Sequence, residues 1–109
     1  MIPHITIENR NDWSSIRFHN LESFYLGETR SREILTEELK DLDILINRAI
    51  VNQFLKRKER PIIKHNLVKV EYVNISKPKY HFRFKNSHVR FMLYAHELRF
   101  LAEALKAIR

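Results

Sequence analysis

Tyr80-His81-Phe82-Arg83-Phe84-Lys85 sets an aromatic ring at every second position, with a polar or charged group between each pair. A period of two sends neighbouring side chains to opposite faces of a strand. The three rings therefore share one face, and His81, Arg83 and Lys85 share the other. Slipping the register by one residue would bury three polar groups, so the alternation fixes which face meets the core. The same period runs through Val68, Val70 and Tyr72, separated by Lys69 and Glu71. It returns in Val89, Phe91 and Leu93, which alternate with Arg90, Met92 and Tyr94. Asn74 to Lys79, with Pro78 inside it, and Lys85 to His88 supply the reversals. The reading is a three-stranded antiparallel meander, apolar on one face and wet on the other.

Working outward, the residues before and after the meander change period. From Ser31 to Lys58 the apolar residues Ile34, Leu35, Leu39, Leu42, Leu45, Ile46, Ala49, Ile50 and Phe54 recur at spacings of three and four, which predicts a long helix. Ser31 or Thr29 would cap its start, and Pro61 would stop it. Glu33, Glu37, Glu38, Asp41 and Asp43 stand toward its N-terminus and Arg48, Lys56, Arg57 and Lys58 toward its C-terminus, the order that complements a helix dipole. At about 1.5 Å per residue such a helix would be roughly 40 Å long. It is therefore expected either to split in two, with Thr36 capping the second part, or to protrude and pair with another copy. Near the N-terminus, Ile5 and Ile7 alternate with His4, Thr6 and Glu8, and Ile16 and Phe18 alternate with Arg17 and His19. The turn cluster Asn9 to Asp12 would join them as a hairpin. Phe24-Tyr25-Leu26 reads ambiguously and ends at Gly27. From Ala95 on, Leu98, Leu101, Ala102, Leu105 and Ile108 form a stripe expected to cover the apolar side of the meander. The expected fold is α+β, in the order ββαβββα: an antiparallel sheet made of an N-terminal hairpin and a C-terminal three-stranded meander, with a long central helix and a C-terminal helix packed on one face.

The 109 residues suit a single domain over residues 1–109, and the 44% apolar content with seven Phe, four Tyr and one Trp can fill its core. One glycine and three prolines leave no room for linkers. The chain lacks cysteine, which excludes disulfides and thiolate metal sites. Met1-Ile2-Pro3-His4 does not read as a signal peptide, and no window reaches the roughly 18 apolar residues of a membrane span. A cytoplasmic protein without membrane contact is expected.

Charge is the most informative feature. Residues 1–55 carry six Lys/Arg against nine Asp/Glu, a net −3, whereas residues 56–90 carry eleven against two, a net +9. A basic block of this kind favours polyanions. The wet face of the meander would present Lys69, His81, Arg83, Lys85 and Arg90, with Tyr94 beside them, and the helix end would add Lys56, Arg57 and Lys58. Cations meet phosphates, and rings of Tyr94 or His81 can stack on unpaired bases. The ordinary alternative is a solvated sheet face.

Other constellations carry less. None of the six histidines forms the i, i+4 pair of a helical zinc site, although a hairpin could bring His81 and His88 together. Asp41 and Asp43, two apart on a helix, diverge. Arg60 to His65 and Arg83 to His88 both match the Arg-x4-His pattern of certain all-helical ribonucleases, yet both adjoin strands instead of opening a bundle helix. No metal, cofactor or catalytic set is expected. The succession of strands and an amphipathic helix over about residues 67–108 resembles the single-strand-binding transcription-coactivator and whirly type of domain, which implies a strand-face architecture and assigns no residues. The leading expectation is a non-enzymatic regulator or accessory protein that binds DNA or RNA, single-stranded nucleic acid included. The alternative is a protein-interaction module that dimerises, or holds a protein partner, through its long helix.

Overall fold

The computed structural model describes residues 2–24, 26–55 and 62–108, the side chains of 48–55 excepted. The chain runs β1 (His4–Asn9), β2 (Trp13–His19), β3 (Thr29–Leu35), α1 (Thr36–Leu55), β4 (Ile62–His65), β5 (Val68–Ile75), β6 (Lys77–Phe84), β7 (Arg90–Tyr94) and α2 (Leu98–Ala107), with a 3-10 turn at Ala95–Glu97 leading into α2. Two antiparallel sheets result, one ordered β1-β2-β3 and the other β4-β5-β6-β7.

The strands form two sheets where one was expected, and the order βββαββββα corrects the ββαβββα expectation at two places. Thr29 to Leu35 is a strand, not the first turns of the helix, and Ser31 lies in its middle instead of capping anything. It pairs with the free edge of β2, setting Ile34 opposite Ser14 and Arg32 opposite Ile16. No apolar residue precedes Ile34 in that stretch, so a helix there would have nothing to bury, whereas the strand satisfies a row of backbone groups on β2. The second missed element is β4, a four-residue strand that pairs with β5 through a two-residue turn at Asn66 and Leu67. Asn66 takes φ 51°, a conformation asparagine tolerates better than most residues.

The three strands of the meander are present, now as three strands of four, but the expected reversal Asn74 to Lys79 is itself strand: β5 reaches Ile75, β6 starts at Lys77, and the chain turns at Ser76 with φ 63°. Tyr80, Phe82 and Phe84 are buried, and His81, Arg83 and Lys85 are exposed. Phe91 links the two sheets: it stacks on Phe82 at 4.8 Å and meets Phe18 of β2 at 5.0 Å. The C-terminal helix, expected to cover the meander, lies closest to β1 and α1, while α1 lies against β4 and β5. The smaller sheet meets the larger one through Phe18 and Phe91. Leu39, Leu42, Leu45 and Ile46 of α1 are buried within the chain, so this part of the helical stripe is not left for a second copy. Ala49, Ile50 and Phe54, the remainder of that stripe, lie outside the described side chains. None of the described helices is long and apolar enough to cross a membrane.

Three buried carboxylates tie these layers together. Glu38, with 0% of its surface exposed, accepts from the Leu35 N–H at 2.9 Å, the Asn86 N–H at 2.9 Å and the Ser87 N–H at 3.2 Å. It thus closes the first turn of α1 and grips the β6–β7 turn. Asp41, one turn further on, accepts from the Leu67 N–H at 3.2 Å and the Asn66 side-chain amide at 3.4 Å, which holds the β4–β5 turn. Glu97 accepts from the Tyr94 N–H at 3.0 Å and the Ser23 N–H at 3.2 Å, anchoring the start of α2 to the loop after β2.

Removing a buried acceptor leaves each of its donors without water or a partner. Glu38→Ala is therefore expected to destabilise the fold by about 3 kcal/mol, read as a fall in the urea midpoint of about 1 M or more. Glu38→Gln should recover little of this, because its amide nitrogen would face backbone N–H groups. Wild-type stability in Glu38→Ala would show that the carboxylate does not hold the two elements together.

Candidate functional site

Register decides what the outer face of the four-stranded sheet presents. Lys64 lies opposite Lys69, Lys69 opposite Arg83, and Arg83 opposite Arg90, so one straight row of four cations crosses all four strands. Neighbouring strands are about 4.8 Å apart, which makes the row roughly 14 Å long. Among the described residues, no carboxylate lies within ion-pairing distance of any of the four. Like charges directly opposite one another destabilise a sheet, so the row works against the fold that displays it.

The row borders an open cleft of about 540 Å³, whose rim gains Lys85 and His88 from the β6–β7 turn and Asn66 from the β4–β5 turn. His88 holds φ 60°, which turns the chain back toward Val89. Both turns are the ones gripped from behind by Glu38 and Asp41, so the buried acids of α1 fix the shape of the basic rim.

Of the residues expected from sequence, Lys69, Arg83, Lys85 and Arg90 converge here. His81 lies one rung away, in a row formed by Ile62, Glu71, His81 and Met92. Tyr94 lies one rung further still, opposite Lys79. Its ring is engaged by the Lys77 ammonium at 4.2 Å and lies parallel to His96 at 6.0 Å. Glu22 bonds both Lys77 and His96 there. The Lys77 hydrogen bond is the main reason the Glu22 carboxyl titrates below its usual range. Tyr94 thus belongs to a separate cluster, its ring held by Lys77 and His96, which Glu22 joins. Lys56, Arg57 and Lys58, and with them Arg60 of the first Arg-x4-His match, lie outside the described residues. Sequence reading missed Lys64, because β4 went unrecognised. The local signal was slight: Asn66, a residue that tolerates positive φ, between two β-rich runs.

His81 and His88 are not brought together, and no group of three or more metal-ligating side chains occurs among the described residues. A different histidine pair exists. His4 and His19, opposite each other on β1 and β2, stack at 4.2 Å with planes 6° apart. The His19 ring nitrogens bond the Thr6 hydroxyl at 2.9 Å and the Thr29 hydroxyl at 3.3 Å. A smaller groove of about 430 Å³ lies where β3 approaches β7, lined by Ser23, Phe24, Arg30, Arg32, Phe91 and Met92. Arg32 sits over the Phe24 ring at 5.5 Å. No family model matches the chain, and no curated protein or solved structure is significantly similar to it.

Burial, then the neighbouring His4 and Arg17, hold the His19 imidazole below its ordinary value of 6.5. A depressed pKa stabilises the fold fully above 6.5, and that contribution is lost as the pH falls from 6.5 through the folded midpoint. NMR titration should place the His19 midpoint below 6.5, and His19→Gln should flatten the acid side of the stability profile over that window. A midpoint at or above 6.5 would contradict the partly buried placement of His19 beside His4 and Arg17.

Proposed function

We propose that this chain is a nucleic-acid-binding module, a cytoplasmic accessory or regulatory protein that binds without catalysis and uses the outer face of its four-stranded sheet. The observation that carries the reading is the row Lys64, Lys69, Arg83 and Arg90, unrelieved by any carboxylate partner among the described residues. An ordinary solvated face mixes signs across strands and gains from doing so. Here Arg83 has a cation on each side, an arrangement that costs stability and gains only when a polyanion covers it. The cleft beside the row is open and basic, as suits a chain of phosphates better than a small apolar ligand. Buried carboxylates fix the turns at the ends of these strands, so binding has to order the Lys and Arg side chains and not the backbone that carries them. Binding of this kind releases counterions. Four phosphate contacts on a single strand give a log–log salt slope of about −3.

The two properties separate in one variant. Arg83→Glu places a carboxylate between Lys69 and Arg90, where it can pair with either. It should raise stability by about 0.2–1 kcal/mol while weakening nucleic-acid binding at least tenfold. Adding Lys85→Glu should weaken binding further. Thermal melts and anisotropy titrations at two salt concentrations check both. Unchanged affinity in the double reversal would move the interface elsewhere, and a wild-type protein that binds neither single strands nor duplexes at low salt would end the reading.

A further inference from the structure

Two rows of side chains run side by side across the sheet, and their chemistry differs. Beside the cation row, two residues along each strand and so about 6.7 Å away, stand Ile62, Glu71, His81 and Met92. Ile62 is 52% exposed, an isoleucine left in water on the edge strand, and His81, beyond Glu71 in the same row, is exposed on the same face. Glu71 is the single carboxylate among the described strand residues of this face. We infer that the ligand of this face is a single-stranded nucleic acid lying across the β-strands, with phosphates along Lys64, Lys69, Arg83 and Arg90 and bases turned onto Ile62, His81 and Met92. This rests on the nucleic-acid reading above and specifies the form of its ligand.

The physical case has three parts. A duplex shows a flat surface only its phosphates and sugars, with the bases turned inward, so the second row would gain nothing. Entering a duplex groove requires a protruding helix or ribbon, and both helices pack on the other side of the sheet or on the smaller sheet. A single strand has exposed bases, and their flat apolar faces match an isoleucine, a methionine thioether and an imidazole. Glu71 gives the arrangement its direction. It repels phosphates from the second row while accepting from base amino groups, so backbone and bases cannot exchange rows.

The test uses a fluorescein-labelled 12-nucleotide strand of mixed sequence, the same strand annealed to its complement, and a 12-unit strand in which the central bases are replaced by abasic sites. The wild-type protein should bind the single strand at least tenfold tighter than the duplex, and the abasic strand should lose about tenfold. His81→Ala with Met92→Ala should lose a similar factor on the intact strand and nothing on the duplex or abasic strand, while Arg83→Glu should weaken all three. Because the abasic strand changes the ligand and not the protein, the result stands even if the double variant folds poorly. Equal affinity for intact and abasic strands, or duplex binding as tight as single-strand binding, overturns the inference and leaves the broader reading intact. Absence of binding to every probe defeats the broader reading itself.

Discussion

Glu38 sits where the two halves of the molecule meet, with no exposed surface and three backbone N–H groups converging on its carboxylate. A carboxylate removed from water must be satisfied by fixed donors, and once satisfied it resists displacement because every alternative leaves a charge or an amide unpaired. The start of α1, the β6–β7 turn and, through Asp41, the β4–β5 turn are thereby held in one relation. The apolar core supplies bulk cohesion. The carboxylates supply position, since apolar side chains tolerate sliding far better than a charge with oriented partners does.

The strong alternation of β5, β6 and β7 was legible because each strand buries one face only, and a half-buried strand writes its geometry into its sequence. β3 was not legible for the opposite reason. Its Thr29-to-Glu33 stretch contains no apolar residue, and its place is decided by the unpaired edge of β2, which no local pattern records. β4 is too short to establish a period, and its pairing rests on a turn of two residues. The site followed the same rule. Lys69, Arg83 and Arg90 were readable as outward residues of alternating strands, and register then aligned them with Lys64. Tyr94 was drawn away by Glu22, Lys77 and His96, and the contact of Glu22 with this strand end spans more than half the chain. Long-range contacts of that kind leave no trace in spacing.

The uneven charge along the sequence acquires a spatial meaning. The acidic excess of residues 1–55 includes Glu38 and Asp41, which are buried behind the turns whose outer surface is basic. These two carboxylates are used inside, against backbone N–H groups, and the row Lys64, Lys69, Arg83 and Arg90 holds no carboxylate. A sequence selected for stability alone would interleave the two signs across the strands. The separation has the form of a fold that gives up some cohesion to keep one row of that face uniformly positive.

The open edge of the smaller sheet has a consequence for how copies of this chain behave in a crowded solution. β3 ends that sheet, with a flank of backbone groups that another strand could use as a template. Arg32, half-buried, lies opposite Ile16, and Arg30, exposed and paired with Glu28, lies opposite Phe18, positions where a growing sandwich would need apolar side chains. A second molecule that extended the sheet at this edge would have to line up beside guanidinium groups on the face meant for its core. Sheet-to-sheet polymerisation is therefore penalised at its first step, and the chain can keep a bare edge without seeding fibres.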